Sequence, residues 1–94
     1  MTYNGWRNYE TWVTKLWIDN DQSEEEYWLE EAERYSKASD LAERLKDYHQ
    51  DLMPALVGVY ADLLQAACSA VDWYEIAEAI MADVADIVGA EAQS

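Results

Sequence analysis

Apolar side chains recur along this chain at the three- and four-residue intervals of helices, and nowhere do they alternate long enough for a strand. Asn8 is placed to cap a first helix over Tyr9 to Asn20. Within it Tyr9, Trp12, Val13, Leu16 and Trp17 share one face, which the spacing predicts to be the buried one. The polar run Asp19-Asn20-Asp21-Gln22 breaks the pattern, and Ser23 with Glu26 forms a capping box that opens a second helix toward Tyr35. Ser39-Asp40 begins a third helix, with Asp40 and Glu43 as another capping box and Leu41, Leu45, Tyr48 and Leu52 along one side.

Pro54 suits the first turn of a fourth helix running to about Ala70. Leu56, Val57, Val59, Tyr60, Leu63, Leu64 and Ala67 surround most of that segment, so it is expected at the centre of the molecule. Asp72 and Glu75 make a third capping box, and a fifth helix should run to about Val88, with Gly89 as its stop. Trp73, Ile76, Ala77, Ile80, Val84 and Ile87 lie on one side of it. Glu75, Glu78 and Asp86 lie opposite, with Asp83 at the edge. Ala90 to Ser94 are expected to fray. The pattern therefore predicts an all-α bundle of about five helices. A length of 94 residues fits a single domain, residues 1–94, with no room for a second core.

Charge changes this picture most. Twenty acids face six bases, a formal net charge of −14 with a pI near 4.1. All six bases (Arg7, Lys15, Arg34, Lys37, Arg44 and Lys46) precede residue 47, and the remaining 48 residues hold nine acids and neither Lys nor Arg. Such a chain is repelled by nucleic acid and by anionic membranes, which argues against direct binding of either. The least polar stretch, Leu52 to Val71, contains Pro54, Asp62 and Gln65 and reads as a core helix, not a membrane span. No apolar leader opens the chain, and its single cysteine, Cys68, cannot form an internal disulfide; both suit a reducing cytoplasm.

Catalytic chemistry is poorly supplied, so an enzyme is not expected. The single histidine, His49, lies in the charged run Asp47-Tyr48-His49-Gln50-Asp51, where a surface position is expected. Cys68 has no neighbouring base and reads as inert filler of an apolar helix. Asp19, Asp21, Ser23 and Glu24 have the oxygen spacing of a calcium loop, but Glu24 stands where that loop needs Gly; a solvated joint is the better reading, with no metal and no cofactor. Trp6, Tyr9, Trp12 and Trp17 could stack on bases, yet stacking platforms come with basic grooves, so core packing is expected for them.

The carboxylates remain. Without interspersed bases they repel one another, a cost to folding that a binding role would offset. A domain of this size has a radius of gyration of about 12 Å. Its net charge over a diameter of roughly 30 Å is on the order of one per 2 Å, against one per about 1.7 Å of duplex DNA.

The block Asn8-Tyr9-Glu10-Thr11-Trp12, followed by Leu16-Trp17-Ile18-Asp19-Asn20, resembles a largely uncharacterised family of small phage, plasmid and other mobile-element proteins. Asp62-Leu63-Leu64 and Val71-Asp72-Trp73-Tyr74-Glu75-Ile76-Ala77 are similar to its later block, although Val13-Thr14 departs from the family order. The resemblance implies a mobile-element origin, with the motif residues structural: Asn8 a cap, and Trp12, Trp17 and Trp73 core anchors. Together with the acidity it implies a counter-defence protein acting in a bacterial host. Such a protein would mimic DNA in the channel of a defence complex, with anti-CRISPR action expected ahead of anti-restriction. The expected partner-binding face is Glu75, Glu78, Asp83 and Asp86, extended by Glu26, Glu30 and Glu33. An acidic interaction module or phage regulator docking through an aromatic or apolar patch is the alternative, and a homodimer is possible.

Overall fold

The chain enters its first helix through a tight reversal at Asn4-Gly5, the residue pair best able to hold positive φ at both central positions of a turn. Asn4 has φ 48° and Gly5 φ 86°, and Tyr3 and Trp6 exchange backbone hydrogen bonds of 2.7 and 2.8 Å across it. The computed structural model describes residues 2–93. Five helices follow: α1 (Tyr9–Asn20), α2 (Gln22–Glu33), α3 (Ala38–Leu52), α4 (Val59–Ala70) and α5 (Trp73–Gln93). The fold is all-α, with no strand among the described residues.

The core is built where α3 and α2 pack on α5. Leu41, Ala42 and Leu45 from α3, Trp28 and Ala32 from α2, and Ile76, Ala77 and Ile80 from α5 are buried together with Ile18 of α1. On α3 and α5 this is the face that the hydrophobic spacing predicts, although Leu52 and Ile87, at the ends of those lines, are exposed. Trp28 anchors the core. Its indole N–H donates to Glu24 Oε2 at 3.0 Å, which satisfies the ring's one polar atom while the rest is enclosed.

Several expected features are corrected. The buried line of α1 is Thr11, Lys15 and Ile18; Tyr9, Leu16 and Trp17 are exposed, and Trp12 and Val13 half-buried. Thr11 is drawn inward by hydrogen bonds and Lys15 by ion pairs, so polar partners outweigh the apolar stripe. Asp21, not Ser23, caps α2, with its carboxylate accepting from Glu24 N at 3.2 Å. The break between α1 and α2 shrinks to that one residue, and α3 starts at Ala38 without a side-chain cap. α5 runs through Gly89 to Gln93, because Gly89 keeps ordinary helical backbone instead of the left-handed conformation that would end it. The expected fraying of Ala90 to Ser94 is therefore not seen in the backbone to Gln93, and Ser94 lies outside the described residues.

The largest correction concerns α4, which contributes no buried residue. The residue before a proline is pushed to extended backbone; Met53 accordingly has ψ 127°, and α3 ends there. Residues 53–58 continue without helix, and α4 begins only after Gly58, whose φ of 68° suits glycine. α4 rests mainly on α1 at its inner side, faces α3 across a cavity, and leaves its apolar outer side in solvent.

These packing differences predict a contrast in stability. Trp28→Ala should cost about 3–5 kcal/mol, a large share of the stability of a domain this size. In dilute protein Leu63→Ala on α4, 60% exposed, should change it by no more than about 0.5 kcal/mol. Urea unfolding followed by far-UV circular dichroism checks both, and comparable losses would put α4 inside the core after all.

Candidate functional site: acidic outer faces and an aromatic cleft

Which carboxylates remain available to a partner depends on where the six cations go. Lys15 is buried, its Nζ 2.6 Å from Asp19 Oδ1 and 4.0 Å from Asp83 Oδ2. Arg44 Nε lies 3.7 Å from Glu31 Oε2, and Arg34 is 3.8 Å from the same carboxylate, so the buried Glu31 is held between two guanidinium groups. Arg7 pairs with Asp72 at 3.5 Å. The positive side chains that form ion pairs therefore serve acids at helix contacts and joints.

The expected partner-binding residues divide on this basis. Glu26, Glu30 and Glu33 of α2 are exposed, and no ion pair to them occurs among the described residues. They lie opposite the line Glu24, Trp28 and Glu31 that α2 turns toward α3. Glu78 and Asp86 are likewise exposed and unpaired on the outer side of α5. Asp83 is exposed but shares Lys15. Glu75 is half-buried, and its Oε1 accepts from the Arg7 backbone N–H at 2.9 Å, so it fastens the N-terminal segment to the start of α5. α2 and α5 are packed neighbours.

The charge density also needs revision. The molecule measures 54 × 29 × 23 Å, longer than the sphere implied by its length. Fourteen net charges along that axis come to about one per 4 Å, sparser than duplex DNA taken whole. The α2 stripe is closer to a single strand. Glu26, Glu30 and Glu33 are spaced about 5 Å apart along the helix, against about 3.4 Å of axis per charge on one DNA strand.

His49 is not a surface residue. Its imidazole stacks between Trp28 and Trp73, with centroids 6.3 and 5.1 Å away and planes within 17° and 22°. Its Nε2 is enclosed without a hydrogen-bond partner. His49 also lines a cleft of about 440 Å³ together with Val13, Thr14, Trp17, Ile18, Asp21 and Glu24. It lines a second one, of about 530 Å³, whose walls include Lys46, Met53, Gln65, Cys68 and Trp73. Burial holds the imidazole pKa below its usual value, and the nearby Glu24 carboxylate opposes that shift only in part. Lone-residue reasoning missed this position because the charged neighbours Asp47 and Asp51 point elsewhere on the helix.

The aromatic residues also sort differently from expectation. Tyr3, Tyr9 and Trp12 form a cluster at the molecular edge, with centroids 5.0 to 5.7 Å apart, and Trp6 packs against the core. Trp17 is 74% exposed and flanks the cleft by His49, so it is no core anchor. Trp73 is half-buried against the core, and Trp28, outside the motif, is the fully enclosed one. The would-be calcium loop is a helix joint, with Asp19 paired to Lys15 and Asp21 capping α2. No cluster of three or more metal-ligating side chains occurs among the described residues, and no helix of the described residues is long and apolar enough to cross a membrane.

No curated protein and no solved structure matches this chain. A family model does, over residues 1–93, and the chain belongs to that family, a family of unknown function (DUF7249).

The enclosed histidine predicts a pH dependence of stability. Because its folded pKa lies below the unfolded value of about 6.5, the unfolded state binds the extra proton first. The His49 contribution to stability should then be fully present above about pH 6.5 and fall as pH drops toward the depressed folded pKa. His49→Phe keeps the aromatic sandwich without titrating and should flatten that slope. Melting temperatures measured at closely spaced pH values decide it, and an unchanged slope in the variant would assign the dependence to other groups.

Proposed function

We propose that this member of a family without assigned activity is a counter-defence inhibitor. It acts as a DNA mimic, blocking the DNA-binding channel of a host defence complex, with a CRISPR complex as the first target and a restriction enzyme as the second. The observation that carries this reading is the sorting of charge. The paired cations serve acids at helix contacts, while Glu26, Glu30, Glu33, Glu78 and Asp86 face solvent on α2 and α5 with no ion pair among the described residues. Carboxylates on a rigid helix can take the places of phosphates before Arg and Lys, and their field steers the encounter at long range. The resemblance of the Asn8 to Trp12 block to mobile-element proteins agrees with this reading, as does a cytoplasmic place of action in a bacterial host. The protein itself binds no nucleic acid, needs no cofactor and catalyses no reaction.

A second reading has its own support. Trp17, exposed beside the cleft of Val13, Ile18 and His49, could seat an apolar side chain of a partner, making the protein an interaction module or phage regulator. Salt separates the two, because contacts between charges weaken as the Debye length shrinks and apolar contacts do not.

Lysate of a bacterium carrying CRISPR and restriction systems, passed over the immobilised protein and eluted with rising salt, tests the proposal. A DNA-binding complex should elute at moderate salt and be displaced by excess duplex DNA. Charge reversal by Glu26→Lys, Glu30→Lys and Glu33→Lys should abolish capture while helicity is retained. A partner indifferent to salt, to DNA and to these substitutions would transfer the role to the Trp17 cleft.

A further inference from the structure

We infer that the outer face of α4 and the segment leading into it form the contact surface of a homodimer. Val57 is 85% exposed, Tyr60 68%, Val59 63% and Leu63 60%, and Leu52 and Leu56 are exposed beside them. Between Asp51 and Asp72 the only charged residue is Asp62, and helical spacing sets it off the stripe of Val59, Tyr60, Leu63 and Ala67. The most acidic half of the chain thus holds a stretch with a single charge whose large apolar side chains stand mostly exposed. Such a surface is unstable against water and calls for a cover.

Area identifies the cover. The chain exposes 6571 Å², whereas a folded monomer of its 10.8 kDa mass exposes about 5,500 Å². Its radius of gyration is 14.6 Å, against about 12 Å for a closely packed domain of this length. The excess of about 1,000 Å² is of the size that each partner contributes to a stable interface, about 800 Å². A second copy is the one partner always present in equal amount. A helix stripe laid on its own twofold mate is self-complementary, apolar against apolar, with the charged helices α2 and α5 left outside. The fold permits it, since α4 is fastened mainly through α1 and the α4–α5 joint and, among the described residues, Val59, Tyr60 and Leu63 on its outer side are exposed.

Electrostatics gives the dimer a signature. Two copies, each of net charge −14, repel at long range, so added salt should strengthen the pairing. Contacts of the acidic faces with a basic partner should weaken under the same change, so this inference and the DNA-mimic reading can fail separately.

The test is the mass of the full chain by sedimentation velocity over a dilution series at low and high salt. The expected result is a reversible shift from 10.8 kDa to twice that mass, favoured by salt. Val59→Gln with Leu63→Gln keeps charge and helix propensity and should weaken association by about tenfold or more, with the helical signal unchanged. A monomer throughout the series would overturn the inference and leave the α4 face to a foreign protein. A dimer untouched by the folded double variant would also overturn it, by placing the contact elsewhere. Should the variant not fold, hydrogen exchange of the wild type decides. Amides of residues 59–67 should exchange more slowly in concentrated than in dilute protein, and rates independent of concentration would again overturn it.

Discussion

A short polar latch between the start of α1 and the joint of α4 and α5 holds the molecule to one topology. Asn8 Oδ1 accepts from Thr11 N at 2.9 Å and from Thr11 Oγ1 at 2.6 Å, which caps α1 and aims both side chains outward from its first turn. Asn8 Nδ2 then donates to the Ala70 carbonyl at 2.6 Å, and Thr11 Oγ1 accepts from Asp72 N at 2.9 Å. The last carbonyl of α4 and the amide of Asp72, just before α5, are thereby given partners more than sixty residues away in sequence. Asp72 passes the arrangement on by capping Glu75 N at 3.1 Å, and Glu75 returns it to Arg7. Thr11 is fully buried, so its own bonds to Asn8 and Asp72 are partly shielded from water, and an unmet partner there is costly.

With α5 fixed at its first turn, its apolar line has one place to go, onto α3 and α2. That packing closes around Trp28 and draws the ionic groups into order. Lys15 and Glu31 become buried with their partners, and the acids left over stay on outer faces. A charge surplus that destabilises a compact chain is thus carried where water and salt screen it best. The same geometry leaves α4 outside the core, fastened at its end by the latch and otherwise exposed. Two surfaces of opposite character result: carboxylates on α2 and α5, and hydrocarbon on α4.

The aromatic stack of Trp28, His49 and Trp73 joins α2, α3 and α5, and His49 lines two clefts. A neutral imidazole fits there as a flat apolar ring. Protonation would put a charge between two indoles without a hydrogen-bond acceptor on Nε2, and burial lowers the pKa for that reason.

Local sequence determined the five helices, the caps at Asn8 and Asp72, the buried lines of α3 and α5, and a net charge that no arrangement could neutralise. These follow from hydrogen bonds and periodicities closed within a few residues, which any fold of this chain must respect. Tertiary structure decided what depends on distant partners. The stripe of Tyr9, Leu16 and Trp17 looked buried, yet Thr11 and Lys15 turned inward because Asp72 and Asp83 waited there. α4 had the most apolar sequence and was expected at the centre. Hydrophobicity makes burial favourable without naming the surface that provides it, and the latch had already given α5 that place. The acidic faces were legible as residues; Glu75 and Asp83 were withdrawn from them only when Arg7 and Lys15 came into reach across the fold.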